Sequence, residues 1–310
     1  MPNSATRATW TGGACAAGLL FFAGAALMPA LAAGDGAEAI PNFAPAVNTG
    51  WVLDRTVDDL LPAASGPGPM SFDKAHPYVP NGRGPQPTYR VADLSNPILQ
   101  PWARDALRKR NERILAGEPG FGPRVSCWPG GVPTFLLGAP FRPMFIIQSA
   151  KEVVMVLELD HQIRRIYLNV PHSQNVKPSW YGESVGHYEG YTLVVDTIGL
   201  NDRTPVDNFL TPHTGRLHVV ERFRVIEGGR TLEARMHVED DGAFTMPWDA
   251  VQRFKRIEPG VADNSLVIPN DGTNGRSEAG PLTEQSCAES PLVTFASDGA
   301  PIPQAAVPDF

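Results

Sequence analysis

The chain has 310 residues, of which 42% are hydrophobic and 19% are charged, so it can bury a substantial core. Its formal net charge of -7 argues against nucleic acid and against an anionic membrane surface as partners, because both select clustered lysine and arginine. The length allows one or two domains, and the density of strand patterns described below favours one.

Residues 1–32 have the pattern of a secretory signal peptide. Arg7 supplies the positive charge, Ala16 to Leu27 form an apolar stretch, and Ala30-Leu31-Ala32 offers a small-x-small cleavage site. The apolar stretch is shorter than the roughly 20 residues that span a bilayer. We therefore expect export with cleavage, a periplasmic or secreted mature protein, and no membrane span left after cleavage.

The cysteines agree with export. Cys15 would leave with the signal peptide, so the mature chain keeps Cys127 and Cys287. An even number of cysteines in an oxidising compartment suits one disulfide. The Cys127–Cys287 bond is expected to tie the C-terminal tail to the start of the core, and no CxxC or Cys/His metal motif is present.

Three zones follow the signal peptide. Residues 33–100 are rich in Pro and Gly and are expected to form an extended lead-in. Residues 101–258 form the core and begin with a predicted helix, Pro101 to Ala116, with Pro in the first turn. Residues 259–310 are expected to form an irregular tail. One face of the helix is expected to carry Trp102, Ala106, Leu107 and Ile114.

The rest of the core reads as strand after strand with tight turns between them. The predicted strands are Met144 to Ser149, Glu152 to Asp160, Ile163 to Asn169, Ser184 to Glu189, Thr192 to Leu200, Leu217 to Ile226, Thr231 to Asp240 and Trp248 to Ile257. Such a series indicates a mostly β fold, a single antiparallel meander that closes into a lipocalin-like barrel. A β-sandwich is the alternative.

Three motifs resemble an exported family of uncharacterised bacterial proteins. They are PSWYGESVGHYEGYTLVVDTIGLNDRT, PHTGRLHVVERFRV and VEDDGAFTMPW, within about Ser126 to Ile257. The chain departs from the family pattern at Tyr188 and Tyr191, and Ala288 replaces a histidine near the C-terminus. The family brings no assigned activity, so the resemblance implies fold and export more than function.

Glu221 is the leading candidate for chemistry. Period-two alternation places it on one face with Leu217, Val219, Phe223 and Val225, so a carboxylate faces the core. A buried carboxylate is usually paired, protonated or used as an acid or base. If Arg165 and Tyr167 face the same interior, they would stabilise developing negative charge; an inward arginine could equally form a satisfied ion pair with Glu221.

Two further residues are candidates at the mouth of the barrel. His213 in a loop suits proton transfer, because the ordinary pKa of imidazole lies near neutrality. Asp240 ends a strand at the rim, where it could serve as an acid or cap the following turn. Asp196 interrupts an apolar strand, and we expect it to have a buried hydrogen-bonding role rather than a chemical one. The histidines show no HxH or HxxxH pair, and we predict no metal and no nucleotide or other cofactor. A three-ligand zinc site of His213 and His218 with Asp202 or Glu221 is the alternative.

A ligand is expected to meet the loops and aromatic residues around the mouth. Asn201 and Asp202 follow an apolar strand, His161 lies in a turn, and Trp180 and Trp248 could form an aromatic wall. Turn formation and simple core packing are the alternatives. Gly182 to Gly186 matches G-x-S-x-G spacing, but it precedes a strand rather than a helix, which argues against a serine hydrolase.

The sequence therefore predicts an exported barrel that acts on a largely apolar small molecule by acid–base chemistry, as a lyase, isomerase or hydrolase. A non-catalytic carrier of the cell envelope is the alternative, with Glu221 in a structural ion pair. A structural envelope component, with the Pro-rich ends as its interacting parts, is a third hypothesis. The sequence leaves the oligomeric state open.

Overall fold

The computed structural model describes residues 40–46, 49–53, 59–77, 90–117, 128–137, 143–158 and 162–257. The chain divides into units 1–37 and 38–310, and every described residue belongs to the second. The expected signal peptide, Cys127, Cys287, His161 and the tail 259–310 lie outside the described residues.

The described residues form ten strands and one α-helix. The helix α1 is Pro101–Leu115, and the strands are β1 Gly50–Leu53, β2 Leu61–Pro62, β3 Met144–Gln148, β4 Glu152–Leu157, β5 Gln162–Leu168, β6 Glu183–Glu189, β7 Thr192–Ile198, β8 His218–Ile226, β9 Thr231–Glu239 and β10 Trp248–Ile257. All eight strands predicted from the sequence are present, and their bounds agree to within a few residues.

The sheet closes into a barrel. Strand order is β1-β3-β4-β5-β6-β7-β8-β9-β10, and β1 pairs with both β3 and β10, while β2 adds to β10. The closing register runs from Gly50 opposite Ile257 to Leu53 opposite Phe254. Closure confirms the lipocalin-like barrel rather than the sandwich. Strands β1 and β2 come from the region expected to be an extended lead-in, so that region completes the barrel wall.

One strand pair departs from the antiparallel meander. Strands β5 and β6 are parallel, with Ile166 opposite Ser184 and Leu168 opposite Gly186. Parallel neighbours need a connection that returns the chain to the same end of the sheet, which a tight hairpin cannot do. The connection 169–182 makes this return, and it carries His172 and Trp180.

Alternation along each strand separates a packed interior from a polar outer wall. Strand β8 buries Val219, Glu221 and Phe223 and turns Arg222 and Arg224 outward. The interior joins apolar side chains from nearly every strand, including Trp51, Ile166, Val195, Phe223 and Trp248, into one core cluster. The face predicted for Glu221 is therefore correct.

The helix α1 is confirmed, and of the face expected to be buried Leu107 and Ile114 are buried, whereas Trp102 and Ala106 are exposed. It buries Ala103, Leu107 and Ile114, together with Asn111, whereas Trp102 is 45% exposed. Asn111 is buried because its side-chain amide binds both the N–H and the carbonyl of Ala92. Among the described residues, no helix has both the length and the apolar character needed to cross a membrane.

Candidate functional site

Glu221 lies in the barrel interior, paired with an arginine from β5. Arg164 Nη1 donates to Glu221 Oε1 at 3.0 Å, and Arg164 Nη2 donates to Glu221 Oε2. Both side chains are fully buried. Arg164 Nη2 also donates to the hydroxyls of Ser184 at 3.2 Å and Thr197 at 2.9 Å. The carboxylate is thus held in a two-pronged ion pair, which leaves it poorly suited to take a proton from a substrate.

The expected placement of Arg165 and Tyr167 is wrong. Strand β5 buries Gln162, Arg164, Ile166 and Leu168, so its other residues face outward. The Arg165 side chain is 62% exposed and lies 3.9 Å from Glu152, and Tyr167 is 45% exposed. Both faces of β5 carry one arginine and apolar neighbours, so alternation alone leaves two solutions. The buried Glu221 pairs with Arg164, because a cation that donates hydrogen bonds to a buried carboxylate offsets the cost of its burial.

His213 and Asp240 come together at one end of the barrel as parts of turns. The Nδ1 atom of His213 donates to the Thr214 carbonyl at 2.8 Å, and its Nε2 lies 3.3 Å from the Thr204 hydroxyl. Burial lowers the pKa of His213. Asp240 accepts hydrogen bonds from the Thr214 backbone and hydroxyl and from Gly242. Asp240 therefore caps its turn, the alternative that the sequence left open.

The structure brings Trp180 beside Asn201 and Asp202, because the Asn201 N–H donates to the Ser179 carbonyl at 2.9 Å, whereas Trp248 is separate from them. Asn201 closes a turn by accepting from the Arg203 N–H at 3.1 Å, and Asp202 is exposed beside it. Trp180 is half-buried, and its ring centroid lies 5.3 Å from that of Trp128. Trp248 belongs to the core and packs edge-on against Phe244.

Trp248 also has an unusual polar feature. Within the described part of the chain, its buried Nε1 atom has no hydrogen-bond partner. A buried N–H without a partner is rare, because it loses its bond to water without a replacement.

The outer wall carries a row of alternating carboxylates and imidazoles. In spatial order, the imidazole–carboxylate row consists of Glu183, His172, Asp196, His218, Glu239, His237 and Asp249. Its members come from β6 to β10 and from the connection 169–182. Each is partly exposed, so solvent and small molecules reach the row.

Asp196 is the centre of one half of the row, and its side chain is 41% exposed, so the buried position expected for it is wrong. Its Oδ1 atom lies 3.0 Å from His172 Nε2 and 3.0 Å from His218 Nε2. His172 Nδ1 lies 3.0 Å from Glu183 Oε1. Hydrogen bonds from the Ser173 hydroxyl and N–H lower the pKa of Glu183, an effect that burial opposes and His172 reinforces. These hydrogen bonds from Ser173 to Glu183 also help to hold His172 in place, because His172 precedes Ser173 in the chain and lies against Glu183.

His237 forms the other half of the row. Its Nδ1 lies 2.8 Å from Asp249 Oδ1, and its Nε2 lies 3.1 Å from Glu239 Oε1. His218 Nδ1, in contrast, is 4.0 Å from Glu239 Oε1, beyond hydrogen-bond distance. His218 therefore differs from His172 and His237, since one of its ring nitrogens has no carboxylate bound to it.

The sequence interpretation did not select this row. Its histidines are far apart in the chain, and HxH or HxxxH spacing joins only residues that are close in sequence. The sequence pattern that could have indicated the row is the placement of the polar residues Asp196 and His218 on the outward faces of β7 and β8. Their adjacency depends on strand order and register, with Asp196 opposite Val220, next but one to His218.

Among the described side chains, no group of three or more His, Cys, Asp or Glu residues has an arrangement that could hold a metal ion. Comparison with protein-family models, with curated proteins and with solved structures finds no match to this chain.

Proposed function

We propose that the protein is an exported enzyme that applies acid–base chemistry to a small molecule, with His218 as the general base. The observation that carries this proposal is the pairing of His218 Nε2 with Asp196 at 3.0 Å, while Nδ1 stays 4.0 Å from Glu239. In the tautomer whose Nε2–H donates to Asp196, Nδ1 carries a lone pair. A carboxylate that orients an imidazole in this way is a recurrent catalytic arrangement.

In the proposed step, Nδ1 of His218 accepts the proton. When a proton moves there from a substrate or from water, His218 becomes an imidazolium between Asp196 and Glu239, and both carboxylates stabilise the positive charge. His172, bound to Asp196 and Glu183, fixes the position of Asp196. Elimination, isomerisation and hydrolysis all use such a base without a nucleotide cofactor. This location replaces Glu221, whose carboxylate is already paired with Arg164.

The aromatic side chains that lie near the row in sequence support the proposal that the substrate is largely apolar. Trp180 precedes Glu183 by three residues and shares the connection 169–182 with His172. The half-buried indoles of Trp128 and Trp180 offer ring faces to an apolar group. Export to the periplasm or medium rests on the signal-like sequence of residues 1–32.

The test is a pair of histidine variants assayed for proton transfer. The full chain, its His218→Gln variant and a control variant, His187→Gln, are incubated in D2O with a small-molecule extract of culture medium. Mass spectrometry then measures deuterium incorporation and new products. His187 is a matched control because it lies on the same wall and contacts Glu189, outside the row.

We expect turnover by the wild type and by His187→Gln, and a loss of at least about 100-fold in His218→Gln, the usual contribution of a general base. Asp196→Asn should also reduce the rate, because it no longer anchors the productive tautomer. Unchanged turnover in His218→Gln, with thermal unfolding like that of the wild type, would refute the proposal.

A non-catalytic carrier is the second candidate, and the unpartnered indole N–H of Trp248 favours it. A ligand with an oxygen acceptor inside the barrel would satisfy that donor, while Arg164 and Glu221 would remain a structural pair. Native mass spectrometry of the purified full chain should then detect a co-purified small molecule that Trp248→Phe retains less well. Purification of both proteins without any bound molecule would count against the carrier.

A further inference from the structure

A second charged cluster lies on the outer wall, separate from the imidazole–carboxylate row. Arg224 on β8, Arg235 on β9 and Arg253 on β10 surround the carboxylate of Glu233, and we call these four residues the arginine cluster. Glu233 lies opposite both Arg224 and Arg253 in the strand register. The closed sheet thus brings three guanidinium groups to one acidic side chain.

The contacts within the cluster are close, and they cover the carboxylate. Arg235 Nε donates to Glu233 Oε1 at 2.8 Å, and Arg253 Nη2 donates to Glu233 Oε2 at 2.8 Å. Arg224 Nη2 donates to Glu233 Oε1 at 3.2 Å. The Glu233 side chain is 2% exposed, whereas those of the arginines are 46–57% exposed. Glu233 therefore orients three cations whose remaining N–H groups reach solvent.

The charges do not balance. Three guanidinium charges against one carboxylate leave a residual charge of +2. Burial alone would raise the pKa of Glu233, but Arg235 and Arg253 hold it below its ordinary value, so the carboxylate stays ionised. An oriented cluster with this excess charge suits an oxyanion, because guanidinium N–H groups match the oxygen spacing of phosphate.

A like-charge contact in the same region points to the same ligand class. Arg222 and Arg235 lie directly opposite each other on β8 and β9. Like charges in that position destabilise a sheet; Arg222 pairs with Glu189, and Arg235 shares the single Glu233 carboxylate with two other arginines. An anion bound at Arg235 would reduce both this repulsion and the excess charge.

We propose that the arginine cluster is a binding site for a phosphoryl group. The proposal goes beyond acid–base catalysis and depends on different residues. The net charge of -7 did not indicate this site, because it is a sum over the whole chain in which acidic residues elsewhere outweigh a local excess of arginine. A soluble phosphate compound and an anionic lipid headgroup present the same group.

The test uses Arg235→Gln in the full chain. Arg235 is chosen because it makes one bond to Glu233, so Arg224 and Arg253 still pair with the carboxylate in the variant. Arg165→Gln is the matched control, since it removes the same charge from an exposed arginine on β5. The probes are inorganic phosphate, titrated calorimetrically at constant ionic strength, and vesicles of phosphatidylglycerol, with phosphatidylcholine vesicles as the neutral comparison.

We expect wild-type binding to at least one probe, weakened about fivefold by Arg235→Gln and changed less than about twofold by Arg165→Gln. Binding to phosphate alone identifies a soluble phosphate ligand; binding to phosphatidylglycerol vesicles identifies a headgroup. The proposal is overturned if neither probe binds, or if the two variants weaken binding equally, since that outcome reflects overall charge.

Discussion

At the scale of single residues, the interior ion pair explains how a carboxylate is tolerated in the core. Glu221 receives two bonds from Arg164, and Arg164 also binds the hydroxyls of Ser184 and Thr197. These hydroxyls lie 2.9 Å apart and can bond to each other. Burying two charges costs desolvation free energy, which the bidentate geometry and the extra hydrogen bonds offset.

Removing one member of this pair should destabilise the fold more than removing both. Arg164→Met leaves Glu221 buried without a cation, and we expect a loss of about 3–5 kcal/mol in the free energy of unfolding. The double variant Arg164→Met/Glu221→Leu should lose less than Arg164→Met alone, because no charge stays buried. Urea unfolding followed by tryptophan fluorescence measures all variants. The single variant Glu221→Leu completes the cycle. If the losses of the two single variants add up to that of the double variant, the pair is not coupled.

At the scale of elements, the connection 169–182 and strand β7 position half of the imidazole–carboxylate row. Gly182 ends this connection with a positive φ of 62°, just before Glu183. A β-carbon there would collide with the carbonyl oxygen of Ile198 at the end of β7. The close approach of these two backbones therefore requires glycine, and it sets Glu183 and His172 against Asp196.

Gly182→Ala should consequently destabilise the protein by about 1–3 kcal/mol, through backbone strain and steric conflict. The matched control is Gly215→Ala in an exposed turn, where a β-carbon meets nothing within 4 Å. The control should change stability by less than about 0.5 kcal/mol. Thermal unfolding compares the two, and equal midpoints would contradict the role assigned to Gly182.

At the scale of the whole molecule, closure divides the barrel into an apolar interior and a charged outer wall. Because β1 pairs with β10, the paired residues of these two strands do not form an open edge of the sheet. The outer wall then collects residues from five consecutive strands into the imidazole–carboxylate row and the arginine cluster. Because the titratable groups differ in burial, their contributions to stability fall in different pH ranges.

Stability should decline in two stages as the pH falls. Burial lowers the pKa of His213 below its ordinary value of 6.5, so below that pH the unfolded chain binds a proton that the folded chain does not. The resulting loss is at most about 1.4 kcal/mol per pH unit. Glu233 and Glu183, whose folded pKa values are lowered from 4.5, add a second loss below that value.

His213→Asn isolates the first stage, because an asparagine amide can still donate to the Thr214 carbonyl and does not titrate. We expect urea unfolding between pH 7 and pH 5 to show a smaller loss of stability for this variant than for the wild type. Burial raises the pKa of Asp207, so this residue adds stability as the pH falls. Its contribution is the same in the variant and the wild type and does not affect their comparison. Parallel curves for the two proteins would argue against a buried, neutral His213.

The sequence by itself determined the eight core strands, α1 and the inward face of β8, because alternation and helix periodicity are local properties of the backbone. It left β5 undecided, since both of its faces carry an arginine and apolar residues. Tertiary structure chose Arg164, because only the inward arginine reaches Glu221. It also made β5 and β6 parallel and assembled the imidazole–carboxylate row and the arginine cluster. These groups depend on which strands become neighbours and in what register, and that is settled when the sheet closes around its core.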